Sequence, residues 1–154
     1  MEEHLKVVNH ERERDGLPHL KHAVVSLLGQ FGLLAHPEAS KRLLLAATHD
    51  VDALIEADWL VRSIFIEALK EYGLVYDELS CEAWIPPGSD FETIYSSPAL
   101  EIRCLTPLAI LTSKAVKAKE RNAPLIRYAL GQYGEPLARL IAEHGGDLDY
   151  FRVK

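Results

Sequence analysis

The chain has 154 residues, 48% of them hydrophobic and 26% charged, a composition that excludes an intrinsically disordered segment. A chain of this length is typical of one domain, which can bury a core without disulfides or a structural metal. The formal net charge of −6 argues against a general nucleic-acid coat protein, because such binding requires Lys and Arg to neutralise many phosphates.

The N-terminal part of the chain predicts helices. Residues 1–17 are too charged for a signal peptide. In residues 19–35 the apolar side chains recur at spacings of three and four, which predicts an amphipathic helix. Pro37 ends that helix and favours the start of a second one through residues 39–47. We therefore expect residues 1–36 to form a helical N-terminal segment.

The middle of the chain changes from helical to strand-like patterns. Residues 58–73 have helical spacing and close on Gly73, a common helix stop. Residues 74–112 contain Pro-Pro-Gly and Ser-Ser-Pro breaks around short apolar runs, which predicts strands and turns. The best strand is residues 99–105.

The C-terminal part is again helical. Pro107 is suited to the first position of a helix, and two further helical patterns follow it, so residues 107–154 form a helical C-terminal segment. No repeat or linker divides the chain. We expect a single domain over residues 1–154 of the α/β (α+β) class, with a small mixed sheet and packed helices.

Cysteine usage and hydropathy indicate the compartment. Cys81 and Cys104 are far apart in sequence and form neither a disulfide framework nor a zinc-ligand spacing. No apolar run approaches the ~18 to 20 residues that span a bilayer. We expect a cytoplasmic protein without a membrane partner.

The stretch THDVDAL contains two acids at alternate positions. If it is a strand, Asp50 and Asp52 share one face while Val51 and Ala53 face the core. Two adjacent carboxylates repel each other unless a cation compensates, and Mg²⁺ held by carboxylates and substrate phosphates is the usual solution. The pattern therefore predicts a site for Mg²⁺ or Mn²⁺.

Glu101 is the candidate third acid. It lies between Leu100 and Ile102 on the best predicted strand, so its carboxylate would project from the face opposite to its buried neighbours. Two-metal phosphoryl chemistry generally uses such a further carboxylate. The alternative is that Glu101 is simply an exposed residue on a half-solvated strand.

THDVDAL and the later segment WIPPGSDFETIYSSPALEIRCLTPLAILTSKAVKAKERN resemble the nucleotidyltransferase fold over residues 39–131, most closely the small bacterial uncharacterised or toxin–antitoxin-associated type. That superfamily has Gly-Ser near a helix start, then Asp-x-Asp on a strand, then an acid between hydrophobic residues. The second and third parts match Asp50-Val51-Asp52 and Leu100-Glu101-Ile102. The best match to the first by spacing is Ala39-Ser40, which lacks the glycine.

The resemblance implies roles for these residues. Asp50, Asp52 and Glu101 would hold the metal and catalyse the reaction, and Ser40 and Lys114 would bind the phosphates of a nucleoside triphosphate. The enzyme would move a nucleotidyl group to an acceptor that the sequence does not identify. Because the chain is small, a second copy in a homodimer or a partner protein would complete the acceptor site. Alternatively, Lys114 belongs to a solvated basic face with Lys117, Lys119 and Arg121.

An adjacent His-Asp pair is also typical of HD metal phosphohydrolases. In that helical family an upstream His, the pair itself and a distant Asp bind a transition metal. His22 would be the upstream ligand here, and His49 and Asp50 the pair. The strand-like pattern of residues 82–106 counts against this fold, which stays helical downstream.

A third hypothesis is a catalytically silent, antitoxin-like binding module on the same scaffold. The absence of a glycine beside Ser40 favours it. Three clustered carboxylates oppose it, because they would be destabilising without a metal. Stabilisation by Mg²⁺ distinguishes the two, since an intact site gains stability from its ligand.

Overall fold

The computed structural model describes residues 1–152, which form a mixed α/β structure. Its strands are β1 (Ala23–Leu27), β2 (Asp50–Val51), β3 (Ala53–Glu56), β4 (Val75–Tyr76), β5 (Phe91–Ser96) and β6 (Leu100–Leu105). Its α-helices are α1 (Glu2–Arg14), α2 (Gly29–Ala35), α3 (Ala39–Arg42), α4 (Trp59–Glu71), α5 (Pro107–Lys117), α6 (Lys119–Tyr133), α7 (Glu135–Glu143) and α8 (Leu148–Arg152). The expected α+β class is confirmed.

The main sheet has four strands in the order β3-β1-β6-β5. The central strands β1 and β6 are parallel, with Val24 level with Glu101 and Leu27 level with Cys104. Both edge strands are antiparallel to their neighbours. The carboxyl ends of β1 and β6 therefore lie at one edge of the sheet, which is the place where open α/β sheets commonly bind ligands.

A separate two-stranded sheet lies next to that edge. Strands β2 and β4 pair in parallel, with Asp50 level with Val75 and Val51 level with Tyr76. The chain leaves β2 through Asp52 directly into β3, and the Asp52 carbonyl accepts a hydrogen bond from the Leu28 backbone N–H at 2.8 Å. This bond holds Asp52 against the end of β1.

Two hydrophobic clusters hold the elements together. In one, side chains of α1 and α4 such as Leu5 and Phe65 cover the sheet face that includes Val25 and Cys104. In the other, α5 packs against α2, α6 and α7 around buried residues such as Ile110. Because α5 is anchored in this second cluster, the polar side chains on its opposite side have fixed positions near the strand ends.

The predicted helix over residues 19–35 is wrong before Gly29. Residues 19–22 are irregular and residues 23–27 form β1, so the expected helical N-terminal segment 1–36 is interrupted. An apolar run can satisfy the period of a helix and of a strand, and tertiary context decides between them. Here β1 is a central strand whose two neighbours take its backbone hydrogen bonds.

The helix predicted through residues 39–47 ends at Arg42. Three consecutive leucines cannot share one helix face, because successive side chains are about 100° apart. Leu43 is buried and Leu44 is 74% exposed. Residues 44–49 therefore run as an irregular segment to β2.

The later predictions are confirmed. Helix α4 ends at Glu71, just before Gly73 with its positive φ of 70°. The strand predicted at 99–105 is β6, and Pro107 opens α5. The two remaining helical patterns are α6 and α7. Within the described residues, no helix has both the length and the apolar character to cross a membrane.

Candidate active site

Asp50 and Asp52 line one cavity at the end of the main sheet. Between and beside them, Val51 and Ala53 are fully buried, as strand alternation predicts. The buried neighbours fix the backbone, so the two carboxylates project to the same side. The cavity has a volume of about 300 Å³.

A third carboxylate in the cavity belongs to Asp77, which sequence reasoning missed. Asp77 follows β4 directly, and its backbone N–H donates to the Val51 carbonyl at 3.0 Å. Its carboxyl group lies close enough to that of Asp52 for the two to share a proton, and it also accepts a hydrogen bond from the Leu79 N–H at 2.9 Å. A strand of only two residues leaves no periodic pattern to reveal this position.

Burial is the main cause that raises the pKa of Asp52. The hydrogen bond and charge of Asp77 raise it further, and the charge of Asp50 adds to the shift. Lys114 opposes these effects. A carboxyl group beside two others is expected to hold a proton more tightly until a cation replaces it.

Gly29 begins α2 in direct contact with this acid cluster. Its φ is +56°, and a Cβ added there would lie 2.0 Å from Asp52 Oδ2 and 3.0 Å from Asp52 Cγ. Only glycine fits both the backbone conformation and the space. The Asp52 carboxylate thus occupies the volume that any other residue at this helix start would fill.

Gly29 corrects the sequence interpretation of the helix start. Ser40 lies on the exposed short helix α3, its hydroxyl donates to the Pro37 carbonyl at 3.3 Å, and it does not line the cavity. The glycine at a helix start beside the acids is Gly29, which is followed by Gln30. The prediction of one helix over residues 19–35 places Gly29 inside that helix, whereas in the structure Gly29 is the first residue of α2.

Cationic side chains from α5 and α6 face the three acids. Lys114, Lys117 and Arg121 line the same cavity. Burial lowers the pKa of Lys114, the charge of Asp52 opposes that shift, and the charge of Arg121 adds to it. The structure therefore brings Lys114 together with Asp50 and Asp52.

Glu101 does not belong to this group. In the parallel register it is level with Val24, three residues before the position level with Leu27, which places it roughly 10 Å back along the sheet. Its Oε1 accepts a hydrogen bond from the Thr93 hydroxyl at 2.8 Å. Strand alternation correctly indicates a side chain that is not buried, but it does not say at which end of the sheet that side chain lies.

The donor set suits a hard divalent cation. Carboxylate oxygens of Asp50, Asp52 and Asp77 are the ligands that Mg²⁺ and Mn²⁺ prefer. Within residues 1–152, no group of three or more His, Cys, Asp or Glu side chains is already arranged to hold a metal. The close approach of Asp77 raises the pKa of Asp52, so a cation that binds here would displace the proton that this contact favours.

The ligands expected for an HD phosphohydrolase are not brought together. His22 precedes β1 at the far end of the sheet, where its Nδ1 contacts the Pro98 carbonyl at 3.0 Å. His49 and Asp50 lie at the start of β2 rather than on a helix. His22 therefore lies at the opposite end of the sheet from His49 and Asp50 and does not form a ligand set with them.

Comparison of the chain with family models, with curated proteins and with solved structures returned no match.

Proposed function

We propose that the protein is a metal-dependent nucleotidyltransferase. The observation that carries the proposal is the contact between Gly29, at the start of α2, and the carboxylate of Asp52. With it, three features of the nucleotidyltransferase pattern have a counterpart: a glycine at a helix start, Asp-x-Asp at a strand, and a third acid directly after a neighbouring strand. The chain departs from the pattern in having Gln30 in place of the serine and Glu78 after the third acid. The third acid is Asp77, in the place that the sequence assigned to Glu101.

The acids and the cations have separate roles. Asp50, Asp52 and Asp77 would hold Mg²⁺ or Mn²⁺, which when bound neutralises phosphate charge and aligns the α-phosphate for in-line attack. Lys114, half-buried, and Lys117 bind the β- and γ-phosphates of a nucleoside triphosphate. Their charge favours the negative charge that develops on the leaving pyrophosphate.

Asp77 also acts as the base for the acceptor. Its carboxylate takes the proton of an acceptor hydroxyl while the acceptor oxygen forms a bond to the α-phosphorus. The bond between the α-phosphorus and the bridging oxygen breaks, and pyrophosphate leaves. The products are the nucleotidylated acceptor and pyrophosphate.

The test is thermal unfolding of the wild type and of the Asp50→Asn, Asp52→Asn double variant, with Mg²⁺ or Mn²⁺ and each nucleoside triphosphate in turn. We expect a rise in melting temperature that requires metal and nucleotide together and is absent in the double variant. Glu101→Gln is the matched control, because it removes a carboxylate from the same sheet outside the cavity.

Two results would contradict the proposal. No response of the wild type would indicate a catalytically silent binding module. A rise with a transition metal alone, unaffected by nucleotide, would instead favour hydrolase chemistry at the His49-Asp50 pair.

A further inference from the structure

Two further cavities, here called lobes, adjoin the cavity that holds the three acids. The first, the helical lobe, has a volume of about 500 Å³ and is lined by Leu44, Ala46, Ala47, Pro124, Leu125 and Tyr128. The second, the tryptophan lobe, has a volume of about 330 Å³ and is lined by Leu28, Leu79, Ala83, Trp84, Ile85 and Ile110. Small-molecule sites commonly measure ~300 to 1,000 Å³, so either lobe has room for a nucleoside.

Both lobes share lining residues with the acid cavity. Gln30, Arg121 and Asn122 line the acid cavity and the helical lobe alike. Asp77 and Lys117 line both the acid cavity and the tryptophan lobe. Lys114 lines all three spaces, so a phosphate chain bound at Lys114 would have one lobe on each side.

The two lobes differ in charge. The charged side chains that line the helical lobe are Lys114 and Arg121, and no carboxylate is among its described lining residues. In the tryptophan lobe, Lys114 and Lys117 are opposed by Asp52, Asp77 and Glu82. An anionic nucleotide is therefore favoured electrostatically on the helical side.

The helical lobe also presents apolar surface suited to a planar ring. Leu44 is 74% exposed and Tyr128 is 38% exposed, although each lies on a wall of the lobe. An aromatic ring with an accessible side chain is a platform on which a nucleobase stacks.

Hydrogen-bonding groups lie beside that apolar surface. The Asn122 amide donates one hydrogen bond to the Ala118 carbonyl at 2.8 Å, which leaves its oxygen and second N–H for a ligand. Among the described residues, no backbone carbonyl accepts a hydrogen bond from the N–H groups of Leu44, Ala46, Ala47 or Thr48, which line the lobe. Such a mixture of donors and acceptors is what reads the edge of a base.

We propose that the helical lobe is the nucleoside subsite. The base stacks on Tyr128 beside Leu44, and Asn122 and the backbone of residues 44–48 bind its edge. Arg121 lies between the base and the phosphates held at Lys114. This inference rests on the proposed function, because it places the nucleoside of the same triphosphate.

Calorimetric titration tests the assignment with two probes in the presence of Mg²⁺: inorganic triphosphate, and a nucleoside triphosphate whose α,β-bridging oxygen is replaced by methylene. Tyr128→Ala should weaken the nucleotide analogue roughly 5- to 150-fold, the loss of one stacked base, and leave inorganic triphosphate unchanged. Leu44→Glu, at a highly exposed position that tolerates substitution, should weaken the analogue as well. Tyr72→Ala, an exposed tyrosine outside the cleft, is the matched control.

The outcomes separate this inference from the proposed function. If Trp84→Ala weakens the analogue while Tyr128→Ala and Leu44→Glu do not, the nucleoside lies in the tryptophan lobe and the inference is overturned. Equal affinity of all variants for the analogue would also overturn it, with the proposed function intact. If the wild type binds neither inorganic triphosphate nor the analogue, both proposals fail together.

Discussion

Glu56 and Glu101, on the open face of the main sheet, differ from the aspartates at the strand ends in what surrounds each carboxylate. Glu56 lies 3.3 Å from the Arg103 guanidinium, and Glu101 accepts a hydrogen bond from Thr93. At the strand ends, Asp52 instead lies against Asp77 and near Asp50. A carboxylate paired with a cation or a hydrogen-bond donor needs no further partner, whereas carboxylates held close together favour a bound proton or a cation between them. This difference is the reason for placing the candidate site at the strand ends.

The largest effect on stability is expected from Gly29→Ala, because the added methyl group would contact the carboxylate cluster at the strand ends. A methyl group there meets the Asp52 carboxylate in a backbone conformation that favours glycine. Overpacking and backbone strain together should lower the free energy of unfolding by roughly 2–5 kcal/mol. Moving Asp52 aside to relieve the contact would abolish the metal and nucleotide response instead.

Gly73→Ala is the control for that substitution. Gly73 has a similar positive φ of 70°, but an added Cβ would meet nothing within 4 Å. The backbone cost alone should be about 1–2 kcal/mol. Urea unfolding measures the free energy of unfolding of both variants. If the two variants lose the same amount, the contact between the added methyl group and Asp52 does not contribute to the destabilisation.

A smaller effect is expected from the pH dependence of Asp52. Because the folded state raises the pKa of this group above its ordinary value of 3.8, its contribution to stability is present below that pH and is lost as pH rises through the folded pKa. Asp52→Asn should remove this fall and raise the free energy of unfolding near neutral pH by up to about 1 kcal/mol. Urea unfolding from pH 4 to 7 with a metal chelator measures it, and a wild-type stability that rises with pH at this group would contradict the assignment.

The smallest effect is expected on the sheet face. Glu101→Gln keeps the shape of the side chain and an oxygen that accepts from Thr93. The free energy of unfolding should change by no more than about 0.5 kcal/mol, as at most surface positions. The affinity of this variant for metal and nucleotide should equal that of the wild type. If calorimetry shows a loss of either, Glu101 is part of the site.

Local signals predicted much of the fold. The glycine stop at Gly73, the proline start at Pro107 and the alternating pattern of residues 99–105 each depend on a few neighbouring residues, and each prediction is confirmed. The helix over residues 19–35 failed because the apolar run that contains Val24 and Val25 fits either period. Residues 23–27 form a strand because they pair with strands β3 and β6, which are distant in sequence.

For the candidate site, the sequence by itself indicated Asp50 and Asp52, because their type and the alternation around Val51 can be seen locally, and the family resemblance added Lys114 as a candidate. Only the tertiary structure decided which other residues join them. Asp77 meets Asp52 through the pairing of two very short strands, and Gly29 meets it through the end of β1. Glu101 is excluded by the direction and register of β6. Strand order and register depend on contacts between residues distant in the chain, and no local pattern of side chains determines them.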